Sequence, residues 1–367
     1  MKKTIFFFIA LSILFGCRDK MQSPVGIGEV PNNIPKPVYI GELQRDSLSN
    51  FYYPAHTGSS KRLWIGDAHN LIARILIRFA VDDSVIIAES DSARVIFTTY
   101  GGVPNKSVAF AVFPITANWN ESSVSWTESS TDTEWSKPGG DYDNLDTIAH
   151  IVMNDSVMDF RLLPSRFSLL DTSHIVNNGM IFVYELGDTL LSVYSKESVY
   201  HSIKIRLYYG DSTKDYSPTD DAFITNSTYN QGNDEVVLSE GYPERALFYF
   251  DIDTVPRNVT INKAFLSFGY DTINSYLDSM TVYLLSVDSI WEGSETKTSE
   301  VASATFTIYK GDTASVVDIT SLVQYWVNGG ENFGFLLKPK SESSSCSRLV
   351  LDVDKKPTLS VYYTPPP

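Results

Sequence analysis

The chain has 367 residues, a formal net charge of −15, and apolar side chains at 43% of positions with 13% aromatic. Binding to duplex nucleic acid rests on neutralising phosphates with a basic surface, so this acidic balance argues against a nucleic-acid partner. The length suits two domains, the apolar content is ample for a core in each, and the richness in Val, Ile, Tyr, Phe and Thr favours strands.

In chain order, Lys2 and Lys3 precede an apolar run from Ile5 to Phe15, and Gly16 places a small residue directly before Cys17. Residues 1–16 therefore read as a bacterial lipoprotein signal peptide, with Cys17 the lipidated residue. That reading puts the protein outside the cytoplasm, anchored by its N-terminal lipid to the cell envelope, with the outer membrane expected. Residues 17–43, with Pro24, Pro31, Pro35 and Pro37, read as a flexible tether. With Cys17 acylated, the remaining Cys346 has no disulfide partner within the chain.

A first domain is expected over 44–209. Arg62–Ile65, Arg74–Val81, Ser92–Thr99, Ser107–Ile115, Met180–Glu185, Leu190–Tyr194 and His201–Tyr209 alternate apolar and polar residues as strands do. Between them, Asn118–Asn144 shows no alternation and carries Trp119, Trp126 and Trp135, which marks a long structured loop. Residues 210–221 read as a linker. A second domain, 222–364, repeats the strand pattern and ends on Asp318–Lys338, where Ile319, Leu322, Val323 and Trp326 have near-helical spacing. Many short strands without long amphipathic helices indicate an all-β chain of two tandem antiparallel β-sandwiches.

The two halves share landmarks in one order. Arg74–Phe79 aligns with Arg245–Phe250, the Trp119 segment with that of Trp291, and Ile203–Tyr209 with Pro357–Tyr363. Asp159–Glu185 likewise repeats the plan of Asp318–Lys338, with Asn177-Asn178-Gly179 set against Asn328-Gly329-Gly330. A unit seen twice suggests two similar domains.

The W-N-E-S-S-V-x-W run at Trp119–Trp126 and the D-I-T-x-x-V-x-x-W-x-x-G-x-x-N-x-G run from Asp318 resemble the DNRLRE domain. The resemblance implies a jelly-roll sandwich on a secreted protein, grouped with carbohydrate-binding modules, some of which bind alginate. It covers both halves unevenly: the second lacks the second loop tryptophan, and the first lacks a tryptophan matching Trp326 and the Asn-x-Gly step.

Several residue groups suggest specific chemistries. Gly210-Asp211-Ser212 after a strand and Asp171-Thr-Ser-His174 imitate a lipase-like serine hydrolase, yet all five histidines precede Ser212, so the GDS is read as a turn. Asp141, Asp143 and Asp146 offer oxygens for a structural calcium but lack the rest of a calcium loop, and an acidic turn is the favoured reading. No other cofactor is expected. Trp126 and Trp135, set among Ser, Thr, Glu and Asp, are candidates for rings that stack on sugars. Outward-facing Arg74 and Arg78 on one strand, with Lys204, Arg206 and Tyr208 on another, form a basic strip suited to a uronic-acid polymer if the two strands share a sheet. The expectation is thus a non-catalytic lipoprotein that binds a polysaccharide or cell-envelope glycan. The alternative is a structural or adhesion lipoprotein that contacts another protein and binds no glycan.

Overall fold

The computed structural model describes residues 35–82, 84–170, 177–232, 235–352 and 354–366; Cys17, the signal sequence and Asp171–His174 lie outside them. Antiparallel strands dominate, arranged as two jelly-roll sandwiches, each a four-stranded sheet packed on a seven-stranded one. Among the described residues no helix is long and apolar enough to cross a membrane.

The two sandwiches have one topology. Across the first four-stranded sheet the order is Val157–Leu162, Ser92–Thr98, Lys204–Tyr209, Ser212–Tyr216; across the second it is Ala314–Asp318, Thr260–Gly269, Thr358–Thr364, Val38–Gln44. The larger sheets run Ala149–Met153, Val108–Pro114, Met180–Leu186, Leu71–Arg78, Arg62–Ala68, Thr189–Tyr194 and, in the same order, Ala304–Tyr309, Ser279–Ser286, Phe335–Pro339, Glu244–Tyr249, Val236–Ser239, Arg348–Leu351. In each, a further strand covers the free edge of the fourth: Asp220–Ser227 on Leu71–Arg78, and Ser47–Tyr52 on Glu244–Tyr249.

These pairings move the expected boundaries. Residues 210–221 are not a linker: Gly210-Asp211 is a two-residue turn, and Ser212–Tyr216 returns along Lys204–Tyr209. Asp220–Ser227 also belongs to the first sandwich, because both of its faces are buried there, Phe223 in the main core and Ala222 with Ile224 beneath the tryptophan loop. The expected tether over 17–43 likewise ends early, since Val38–Gln44 pairs with Thr358–Thr364 of the second sandwich. Each sandwich is therefore completed by the two strands that precede the other in sequence, a reciprocal exchange within one chain. Pairing along a whole edge and burying both faces of a strand hold it more strongly than sequence proximity does.

Each core lies between its two sheets. In Leu71–Arg78, Ile75 and Ile77 enter the first core, while Leu76 on the opposite face is covered by Trp119, Val124 and Trp135 of the loop. The helix expected near Ile319 spans Thr320–Val327 and buries Leu322, Val323, Trp326 and Val327.

The Asn-x-Gly step is present in both halves, which corrects the expectation that the first had lost it. Asn177 donates to the Phe79 carbonyl at 2.7 Å and Asn332 to the Phe250 carbonyl at 2.9 Å, so Asn177-x-Gly179 matches Asn332-x-Gly334. Both glycines have positive φ, 81° and 87°, and lie so close to the neighbouring strand that a Cβ would strike the Ile77 or Phe248 carbonyl oxygen. The tryptophans confirm the register: Trp119 Nε1 donates to the Asn178 carbonyl at 2.8 Å and Trp291 Nε1 to the Phe333 carbonyl at 2.7 Å.

Candidate functional site

The basic strip does not form. Arg74 and Arg78 lie on a strand of the first seven-stranded sheet, and Lys204, Arg206 and Tyr208 on a strand of the four-stranded sheet opposite. The cations are also engaged. Arg74 donates to the Gly139 carbonyl at 2.6 Å with its guanidinium carbon 4.7 Å from the Trp126 ring centre, and burial lowers its pKa. Arg78 bonds Asp220 at 2.9 Å, the Asn118 side chain at 3.1 Å and the Trp119 carbonyl at 3.0 Å. Lys204 and Arg206 share Asp215 at 2.7 and 2.6 Å, and the bond from Arg206 leads in drawing that carboxyl down to about 2.

Neither loop tryptophan is a free ring. Trp135 is buried, donating to the Ser125 carbonyl at 3.0 Å, and Trp126 is half-buried against Arg74. Asp141, Asp143 and Asp146 do not converge. The first caps the Ser136 and Lys137 amides, the second the Leu145 amide, and the third is clasped bidentately by Arg166, whose hydrogen bond holds it below the usual carboxylate range.

The structure instead presents a cleft of about 820 Å³ between the sandwiches. One wall is Ser59–Arg62 and Trp64 of the first sandwich; the other includes Tyr270, Tyr276, Asp278, Tyr309, Lys310, Asp312, Lys340 and the serine loop 341–347 of the second. The walls are tied together: Trp64 Nε1 reaches the Ser344 carbonyl at 3.4 Å, and Arg348 donates to the His69 carbonyl at 2.9 Å. His69 stacks on Tyr276 at 3.8 Å between ring centres, and Cys346 of the serine loop is wholly buried against the first core. Burial pushes the Cys346 thiol well up, which makes it inert as a nucleophile.

The lining mixes aromatic faces, hydroxyls and charge. Tyr309 is 61% exposed, and Arg62 lies 3.5 Å from the Tyr100 ring centre. Lys61, Arg62, Lys310 and Lys340 outnumber Glu240, Asp278 and Asp312 in the lining, so the cleft is locally cationic on an acidic chain. Glu240 is buried, and desolvation raises its pKa to about 7 against the hydrogen bonds of Ser347 and Ser345. The sequence offered no signal for this site, because its two walls are remote in the chain and meet only through tertiary packing.

No protein-family model matches the chain, and no curated protein matches it. Among solved structures, the chain is weakly similar to the N-terminal CBM22-1-CBM22-2 tandem domain from Paenibacillus barcinonensis Xyn10C, at 10% identity and a TM-score of 0.15, over 89% of this chain and 92% of that one.

Proposed function

We propose that the protein is a non-catalytic, lipid-anchored protein of the bacterial cell envelope that holds a polysaccharide in the cleft between its sandwiches. The observation that carries this reading is the cleft's lining. Tyr309, Tyr276 and Trp64 supply ring faces for the apolar sides of sugars, and the serine loop supplies hydroxyls that donate and accept. Lys61, Arg62, Lys310 and Lys340 favour a polymer bearing carboxylates over a neutral one. The reciprocal strand exchange fixes one wall against the other, so little ordering is needed on binding.

A retention assay on immobilised polysaccharides, alginate beside neutral glucans, tests the reading. The expected result is retention on alginate that falls when Tyr309→Ala and Lys310→Ala are combined, with unfolding unchanged because both residues are surface-exposed. Failure to retain any polysaccharide, or retention indifferent to the double variant, overturns it.

A further inference from the structure

We propose that Glu121, Glu197 and Asp221 form a calcium-binding site that pins the exchanged strand Asp220–Ser227 to the first sandwich. One carboxylate oxygen from each of the three lies within 4.8 Å of the others. Oxygens that share a calcium at 2.3–2.6 Å are at most about 5 Å apart, so the spacing fits a common ion.

Two oxygens of these carboxylates lack a hydrogen-bond partner within the protein. Asp221 is fully buried, its Oδ1 has no hydrogen-bond partner, and the buried Oε2 of Glu197 has none either. A buried anionic oxygen left unsatisfied is costly, and a bound cation is the species that relieves it.

The remaining oxygens are held in place by the protein. Glu121 Oε1 accepts the Asp221 amide at 2.7 Å, and Asp221 Oδ2 accepts the Lys196 amide at 2.7 Å. The Lys196 ammonium lies 2.6 Å from both Glu121 and the Thr219 carbonyl. One ammonium against three carboxylates leaves two negative charges when all are ionised, matching a divalent ion. The donors are oxygens alone, with no His or Cys in the cluster, which suits a hard cation; calcium, which accepts flexible sets of carboxylate oxygens, is the ion proposed.

The second sandwich is a built-in control. Asp221 pairs with Ile77 and Leu48 with Phe248, and these partners are equivalent because each lies three residues past the aligned Arg74 or Arg245. Counting from Trp119 and Trp291, Glu121 corresponds to Gly293. The second copy thus has leucine and glycine where the first has two carboxylates, and a single ion per chain is expected.

Equilibrium dialysis and thermal unfolding of the chelator-treated full chain with calcium chloride test the site. The expected result is uptake of one ion per chain and an unfolding midpoint that climbs with calcium. Asp221→Asn and Glu197→Gln should each abolish the climb. Without calcium, Asp221→Asn should unfold no lower than the wild type, since it removes an orphaned charge; a purely structural aspartate would give the opposite. No uptake at millimolar calcium, or equal uptake by the wild type and both variants, overturns the proposal.

Discussion

Thr57 grips Phe223 by both backbone groups: its hydroxyl accepts the Phe223 amide hydrogen at 3.0 Å and donates to the Phe223 carbonyl. Phe223 belongs to the exchanged strand of the first sandwich, whose outer edge no strand covers among the described residues. Thr57 lies on the connector that leaves Ser47–Tyr52 of the second sandwich. A single hydroxyl therefore closes a buried strand edge at the point where the chain crosses between sandwiches.

Thr57→Val keeps the side chain's shape and removes the hydroxyl, leaving two buried backbone groups unpaired. The expected loss is about 1–3 kcal/mol, read as a lower urea midpoint at unchanged slope. The same change at exposed Thr213 should stay within about 0.5 kcal/mol.

The tryptophan loop forms a second layer of core over the first sandwich. Trp119→Ala should cost about 3–5 kcal/mol, because it empties a fully buried site and frees the Asn178 carbonyl. Tyr325→Ala, on the exposed side of the helix Thr320–Val327, should change stability little. Chemical denaturation of the two variants separates the cases.

Glu240 makes stability depend on pH. Its carboxyl has an ordinary value of 4.5 and is raised to about 7 in the fold, chiefly by desolvation. Between those values the folded chain holds a proton that the unfolded chain has released, so stability falls as pH rises through that window and is fully present below it. Glu240→Gln should flatten this segment of the profile and stabilise the chain above pH 7, by about 3 kcal/mol at most. Unfolding midpoints measured from pH 4.5 to 8 provide the check.

The strands with apolar alternation declared themselves in the sequence. In Leu71–Arg78 and Lys204–Tyr209 the alternation named the inward residues Ile75, Ile77, Ile205 and Leu207 correctly, and all four are buried. The completing strands did not, because Val38–Gln44 and Ser212–Tyr216 are edge strands exposed along most of their length and carry almost no apolar alternation. The allegiance of Asp220–Ser227 was not legible, because it depends on an open edge offered by residues some 150 positions earlier. For the same reason the cleft was hidden, since Trp64 and Ser344 meet across 280 positions. The arginines at 74 and 78 were placed on the right face, yet that face is roofed by the tryptophan loop, whose backbone carbonyls engage both guanidinium groups.

The reciprocal exchange underlies the fixed cleft, and cross-linking tests it directly. Tyr39 pairs with Tyr362 in the structure, both partly exposed, with rings 4.5 Å apart between centres. Without the exchange, Tyr39 would occupy the place of Thr213, opposite Tyr208. Directly opposed strand residues lie within disulfide reach. Under mild oxidation Tyr39→Cys should therefore form a disulfide with Tyr362→Cys within one chain, and none with Tyr208→Cys. The reverse pattern would show that each sandwich keeps its own preceding strands and would contradict the account.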